Sequence, residues 1–288
     1  MTQPADAVGY DPEIDIDWDA LPVEGLSSLS DHAVSLYGTR RWERLSPEQR
    51  RELARSEAAE ILGLTLLGKA FISHLLLRSA SEDDQESERL RRTLTELADN
   101  ARHLVMFARA MDAVEATDRA LRPAWLRRLV PFGELLPVRP FSWAAIYAVN
   151  ELLLAHQLEL ASDNSVQPAL RMVARVHVAD QTRHAAHARD ELLRTAGTIG
   201  GLERLVTRSA LGAGAIGFRY LRIRPTAYAA AGLNPIVGWV AAQRNEHYLA
   251  MLARNAERLV TTFQEAGLIE GPLVRAAWKH AGLLQGRA

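Results

Sequence analysis

His177, Asp180, Gln181 and His184 stand at i, i+3, i+4 and i+7. On a helix this spacing puts all four on one face. A second stretch repeats the core of the pattern. Asp99-Asn100-Ala101-Arg102-His103 matches Asp180-Gln181-Thr182-Arg183-His184, 81 residues further on. Both read Asp, amide, any residue, Arg, His. Imidazoles and carboxylates so spaced are suited to holding a metal or moving a proton. An acid and a histidine three residues apart, on each of two facing helices, is how helical bundles build a carboxylate-bridged metal pair. Here the acid positions hold amides, Asn100 and Gln181.

Glu151 lies in the apolar run from Trp143 to Ala155. A buried, unpaired carboxylate costs several kcal/mol or changes its protonation, so it needs a partner. With His177 and His184 it could hold one divalent metal as a two-histidine, one-carboxylate site. The same residues could equally form a hydrogen-bonded polar cluster without metal. His103 shares a face with Asn100. Asp180 is expected to bond His103, and Asp99 to bond His184, each fixing the far ring nitrogen; pairing of these aspartates with nearby arginines is the plain alternative. The chain holds 32 arginines but only two lysines, Lys69 and Lys279. Lys69 sits in Leu66-Leu67-Gly68-Lys69-Ala70-Phe71-Ile72. It is expected to be buried and to face an acid, with Glu151 the natural candidate, or to have a lowered pKa. The alternative is a lysine that reaches the surface along its own stem. His32, His74, His156, His187, His247 and His280 show no comparable grouping and read as ordinary polar or capping residues.

The elements that must position these groups are helical throughout. Ser46-Pro47-Glu48-Gln49 is a helix start, with an N-cap serine, a proline at the first position and an acid in the first turn. Helices are expected over about 47–79, 86–116, 142–160 and 166–196. Polar turns at 81–84 and 161–164 make two antiparallel hairpins. The proline-containing connection 119–140, with a short helix at 124–130, joins them as one long crossover. This is the layout of a ferritin-like four-helix bundle, an all-α fold. Further helices at about 202–222, 235–266 and 271–283 would pack around the core, and a short one is expected at 28–37. Residues 1–27 read as an acidic, extended or mobile arm, and 28–288 as one helical domain.

There is no cysteine, which excludes disulfides and thiolate chemistry. No basic, apolar leader is visible at the N-terminus, so a cytoplasmic location is expected. The weakly polar stretch Ile61–Leu77 is short for a membrane span and holds Lys69 and His74, so it reads as a buried helix. The first 39 residues carry eight acids and no Lys or Arg, while residues 201–288 carry eleven basic residues against five acids. The scattered arginines match no nucleic-acid motif. A small-molecule substrate is expected, with no nucleic-acid or membrane partner.

Several stretches resemble the p-aminobenzoate N-oxygenase family of ferritin-like di-iron oxygenases. They are Tyr37-Gly38-Thr39, Trp42 through Arg50, Leu94 through Asp99, Arg102-His103 with Met106 through Arg109, and Glu265 through Ile269 with Gly271-Pro272. The resemblance implies a ferritin-like bundle, a role in specialised metabolism and, as assembly, a homodimer. It also implies seven metal ligands, four glutamates and three histidines. The histidines correspond to His103, His177 and His184, and one glutamate to Glu151. The other three glutamates fall at Lys69, Asn100 and Gln181. Three acids are then lost and one cation gained, and Glu151 and Lys69 sum to zero charge before any metal enters. A divalent ion beside them would leave about +2 in a poorly solvated site, where like charges at ~4 Å cost about 4 kcal/mol even at an effective dielectric near ~20.

Three readings follow. The first is an enzyme that kept the bundle but lost the di-iron site. Lys69, Glu151, His103, His177 and His184 would then do metal-independent acid–base work, or Lys69 would form a Schiff base, with Asp99, Asp180, Asn100 and Gln181 in support. No cofactor is expected on this reading. The second is a mononuclear iron oxygenase using Glu151, His177 and His184, with His103 nearby. The third is a non-catalytic binding or partner subunit.

Overall fold

The computed structural model of the chain describes residues 10–81, 88–114 and 138–284. The expected turn at 81–84, the expected crossover, its short helix and residues 1–9 lie outside or mostly outside that set.

A short 3-10 turn, Asp31–Ala33, and α1 (Arg40–Glu43) replace the helix expected at 28–37. The first long helix, α2 (Pro47–Ala80), starts where the sequence says it should. Ser46 Oγ accepts from the Gln49 backbone N–H at 3.2 Å, and Gln49 Oε1 accepts from the Ser46 N–H at 3.1 Å, a reciprocal cap. Then come α3 (Glu88–Ala113), α4 (Val138–Ser162) and α5 (Pro168–Ala196). α2 pairs with α3 and α4 with α5, while α2 packs on α4 and α3 on α5. The all-α, ferritin-like bundle is therefore observed, and no strand occurs among the described residues.

By length and composition α2 could cross a membrane. Its second half is instead the core of this bundle, with Ile72, Leu75 and Leu76 fully buried. Gly68 brings α2 close to α4: a Cβ there would lie 2.9 Å from Val149 Cγ1. The glycine thus lets the helices approach beside Lys69.

The C-terminal region is more broken than expected. α6 (Gly201–Leu221) matches, but α7 (Pro225–Ala230) has a proline start that the sequence reading passed over. The helix expected over 235–266 is three: α8 (Pro235–Gln243), α9 (Glu246–Asn255) and α10 (Glu257–Glu265). Asn245 makes the first break. Its Oδ1 caps α9 by accepting from the His247 N–H at 3.1 Å, and its Nδ2 donates to the carbonyls of Ser35 and Tyr37. α11 (Pro272–His280) packs on α6.

The acidic arm is docked from residue 10 onward. Ile16 is buried, and Trp18 stacks under the Arg109 guanidinium while Glu13 pairs with Arg109. Ser27 forms a parallel bridge with Val166. Net acidity did not keep this segment loose, because its aromatic and aliphatic residues find a surface at the ends of α3 and α5.

A buried polar cluster ties the N-terminal segment to the bundle. Glu57 accepts from Ser35 Oγ at 2.5 Å and from the Ser35 N–H at 2.9 Å, and Ser35 Oγ lies 2.8 Å from Tyr228 Oη. Burial pushes the Glu57 carboxyl up from 4.5 to about 7, against the opposing effect of the Ser35 hydrogen bonds. A carboxyl raised in the folded state favours folding while protonated, so that advantage is lost as pH rises from 4.5 to about 7. Glu57→Gln should remove this dependence. The stability of the natural chain relative to the variant, measured by urea unfolding, should fall across the window by up to about 3 kcal/mol.

Candidate functional site

The two repeated motifs meet at the centre of the bundle. α3 contributes Asn100 and His103, α5 contributes His177, Gln181 and His184, and α2 contributes Lys69; all six are buried. Lys69 Nζ donates to Asn100 Oδ1 at 2.9 Å and to Gln181 Oε1 at 2.6 Å. The lysine therefore bridges the two amides of the repeat. It does not reach the surface.

The aspartates pair crosswise, as the sequence suggests. Asp99 of α3 accepts from His184 Nε2 of α5 at 3.1 Å. Asp180 of α5 lies 3.4 Å from His103 Nε2 of α3. Both aspartates also meet arginines: Asp99 pairs with Arg102 and Arg183, and Asp180 with Arg183. A carboxylate on Nε2 fixes the proton there and leaves Nδ1 as a lone pair. Nδ1 of His103 and His184, and both ring nitrogens of His177, are buried without a hydrogen-bond partner among the described residues. The His103 ring meets those of His177 and His184 at centroid distances of 4.9 and 6.2 Å.

The electrostatics follow from burial. Desolvation drives the Lys69 ammonium down from 10.5 to about 7, opposed by Glu96, Asp180 and Asp99. Burial also lowers His103 and takes His177 well below its usual value, and the Lys69 charge adds to both effects. The hydrogen bond from His184 is the largest cause holding Asp99 down at about 2. The bond with His103 does most to lower Asp180.

Glu151 departs from its expected place. Its Oε1 lies 3.3 Å from Arg258 Nε of α10, and burial raises its pKa against the pull of that arginine. It shares a helix face with Tyr147, four residues earlier, which bonds Thr262 of α10. The expected Glu151–Lys69 pair is thus not formed. Nor is the expected Glu151, His177, His184 triad: among the described residues no three His, Asp or Glu side chains are arranged to hold a metal ion. The neighbouring Asn150 is the residue turned inward, fully buried, with its Nδ2 3.4 Å from Glu96 Oε1. Both residues are buried, but one residue of helix is ~100° of rotation, so they meet different neighbours, Glu96 of α3 and Arg258 of α10.

Two other residues were passed over. Glu96 and His187 form a pair, with His187 Nδ1 3.1 Å from Glu96 Oε2. Glu96, Asn100 and His103 fall at i, i+4 and i+7, and His184 and His187 at i and i+3, so helical spacing alone held the signal. A cavity of about 480 Å³ opens between α3 and α5 at this point, lined by Arg91, Thr95, Glu96, Asp99, His184 and His187 among others. Lys69 is not on its wall.

The fold and this centre define a class: a ferritin-like helical bundle with a polar site between its four long helices. A family model described as p-aminobenzoate N-oxygenase AurF matches residues 3–267. The chain belongs to that family and is a homologue of its di-iron N-oxygenases. No curated protein matches it.

The group that the family implies is a pair of irons. The orphaned imidazole lone pairs are the right kind of donor for such ions. The remaining groups are not. Lys69 brings a cation, and Asn100 Nδ2 and Gln181 Nε2 are buried donors without partners, better suited to a water or an anion. The carboxylates that balance the ammonium are already engaged by His184, His103 and His187. These are the groups that any metal ion entering this centre would meet.

A lysine lowered in the folded state costs stability while both states are protonated, and that cost is relieved as pH rises from about 7 through 10.5. The stability of the natural chain relative to Lys69→Met should therefore rise across this window, by up to about 5 kcal/mol. Denaturant unfolding of both proteins as a function of pH measures it. A difference that stays flat would mean an ammonium with ordinary solvation.

Proposed function

We propose that this chain is an AurF-family enzyme that acts on a small molecule by metal-independent proton transfer, the place of its metal pair being taken by the Lys69 ammonium. The observation that carries this reading is the pair of bonds from Lys69 Nζ to Asn100 Oδ1 and Gln181 Oε1, at 2.9 and 2.6 Å. These amides stand where the repeated motif would need bridging carboxylates. The departure of Glu151 to Arg258 supports the reading further, because it removes from the centre the one acid that the charge count had kept there.

On this reading the histidine–aspartate frame is kept for its proton chemistry. His184, oriented by Asp99, lines the cavity, and its tautomer is set by the carboxylate. His103 and Asp180 repeat the arrangement one step further inside.

A Schiff-base role for Lys69 is the second reading, favoured by its lowered pKa of about 7, which leaves much of the amine neutral and nucleophilic near neutrality. It requires a path from the cavity to a side chain that is fully buried.

Elemental analysis of protein expressed in iron-rich medium tests the proposal. The natural chain should hold far less than one iron, and the variant carrying Lys69→Glu, Asn100→Glu and Gln181→Glu should recover bound iron. Near two irons per natural chain would overturn the reading.

A further inference from the structure

The cavity between α3 and α5 raises a question of its own: which group on its wall can take a proton from a bound molecule. His184 is on the wall, but its Nε2 is bonded to Asp99 and its Nδ1 is sealed inside the bundle without a partner. His187 is arranged the opposite way. Its Nδ1 is bonded to Glu96 Oε2 at 3.1 Å, and its side chain keeps 17% exposure on the cavity wall. Nε2 is the edge of the ring left open.

The pair is held in place on every side. The Glu96 side chain is only 3% exposed, and its second oxygen lies 3.4 Å from Asn150 Nδ2. The Trp143 ring meets the His187 ring edge-on at 5.3 Å. A buried carboxylate on Nδ1 fixes the tautomer that leaves Nε2 as acceptor, and it stabilises the imidazolium formed when Nε2 takes a proton. An exposed surface histidine has neither of these.

We propose that His187, positioned by Glu96, is the general base of this cavity, and that the cavity takes a small molecule with an ionisable C–H, N–H or O–H. His187 Nε2 takes that proton, Glu96 remains a carboxylate beside the imidazolium, and the same proton returns to the product or its leaving group. The step needs no oxidant, reductant or metal. It rests on the proton-transfer reading above but assigns the base to a residue outside the Lys69 centre.

The probe is 5-nitrobenzisoxazole, whose ring opens when a base removes its C–H proton: the N–O bond breaks and a coloured cyanophenolate is released. The natural chain should accelerate this elimination above free imidazole at equal concentration. General-base contributions run at roughly 10²–10⁴-fold, so His187→Asn should lower kcat/KM by at least about ten-fold. Asn keeps a donor toward Glu96, which protects the fold; thermal melting checks that it does. Glu96→Gln should lower kcat with KM little changed, and added imidazole should restore activity to His187→Asn. His280→Asn, on α11, should have no effect. Elimination no faster than with imidazole, or unchanged in folded His187→Asn, would overturn the assignment. The iron analysis is independent of this assay: a chain holding two irons that still depends on His187 would sink the metal-independent reading and leave this base in place.

Discussion

An ammonium removed from water at the junction of helices is expensive, and the rest of the centre is shaped by that cost. Lys69 has no exposure, and two amide oxygens replace part of its hydration. Carboxylates stand one layer further out, each on a histidine, so the compensating charge is near without being in contact. An ion pair at the centre would bind the ammonium more tightly, but it would also bury a carboxylate that needs further donors of its own. The structure instead spreads the negative charge over Asp99, Asp180 and Glu96, and each of these is also needed by an imidazole.

This arrangement links the fold to the chemistry. α2 brings Lys69 to the middle, α3 brings Asn100 and His103, α5 brings His177, Gln181 and His184, and the crosswise Asp–His bonds tie α3 to α5. The same bonds set the protonation pattern: Nε2 carries the proton, and Nδ1 faces inward as a lone pair. Burial and the Lys69 charge both oppose a second proton on His103 and His177. On the proposed reading, the Lys69 ammonium supplies the central charge of this bundle.

Much of this was legible in the sequence. The i, i+3, i+4, i+7 spacing gave the shared face, and the repeat across 81 residues gave the facing helices. The rarity of lysine in an arginine-rich chain marked Lys69. The helix start at Ser46-Pro47 and the turn at 161–164 came from cap and turn chemistry, which is local. Partners across the bundle were harder. Glu151 and Asn150 are adjacent, and only the packing against α10, with Arg258 waiting there, decides which turns inward. His187 looked ordinary because its carboxylate lies 91 residues away on another helix. The break at Asn245 depends on contacts with the N-terminal segment that no single helix encodes.

The most direct measurement is nitrogen NMR of protein labelled with lysine-15Nζ, which is simple because the chain holds only Lys69 and Lys279. One signal should titrate near 7, be protected from solvent exchange, and remain sharp when ferrous iron is added without oxygen. Two signals that both titrate as free lysines, or a Lys69 signal broadened away by iron, would contradict the account.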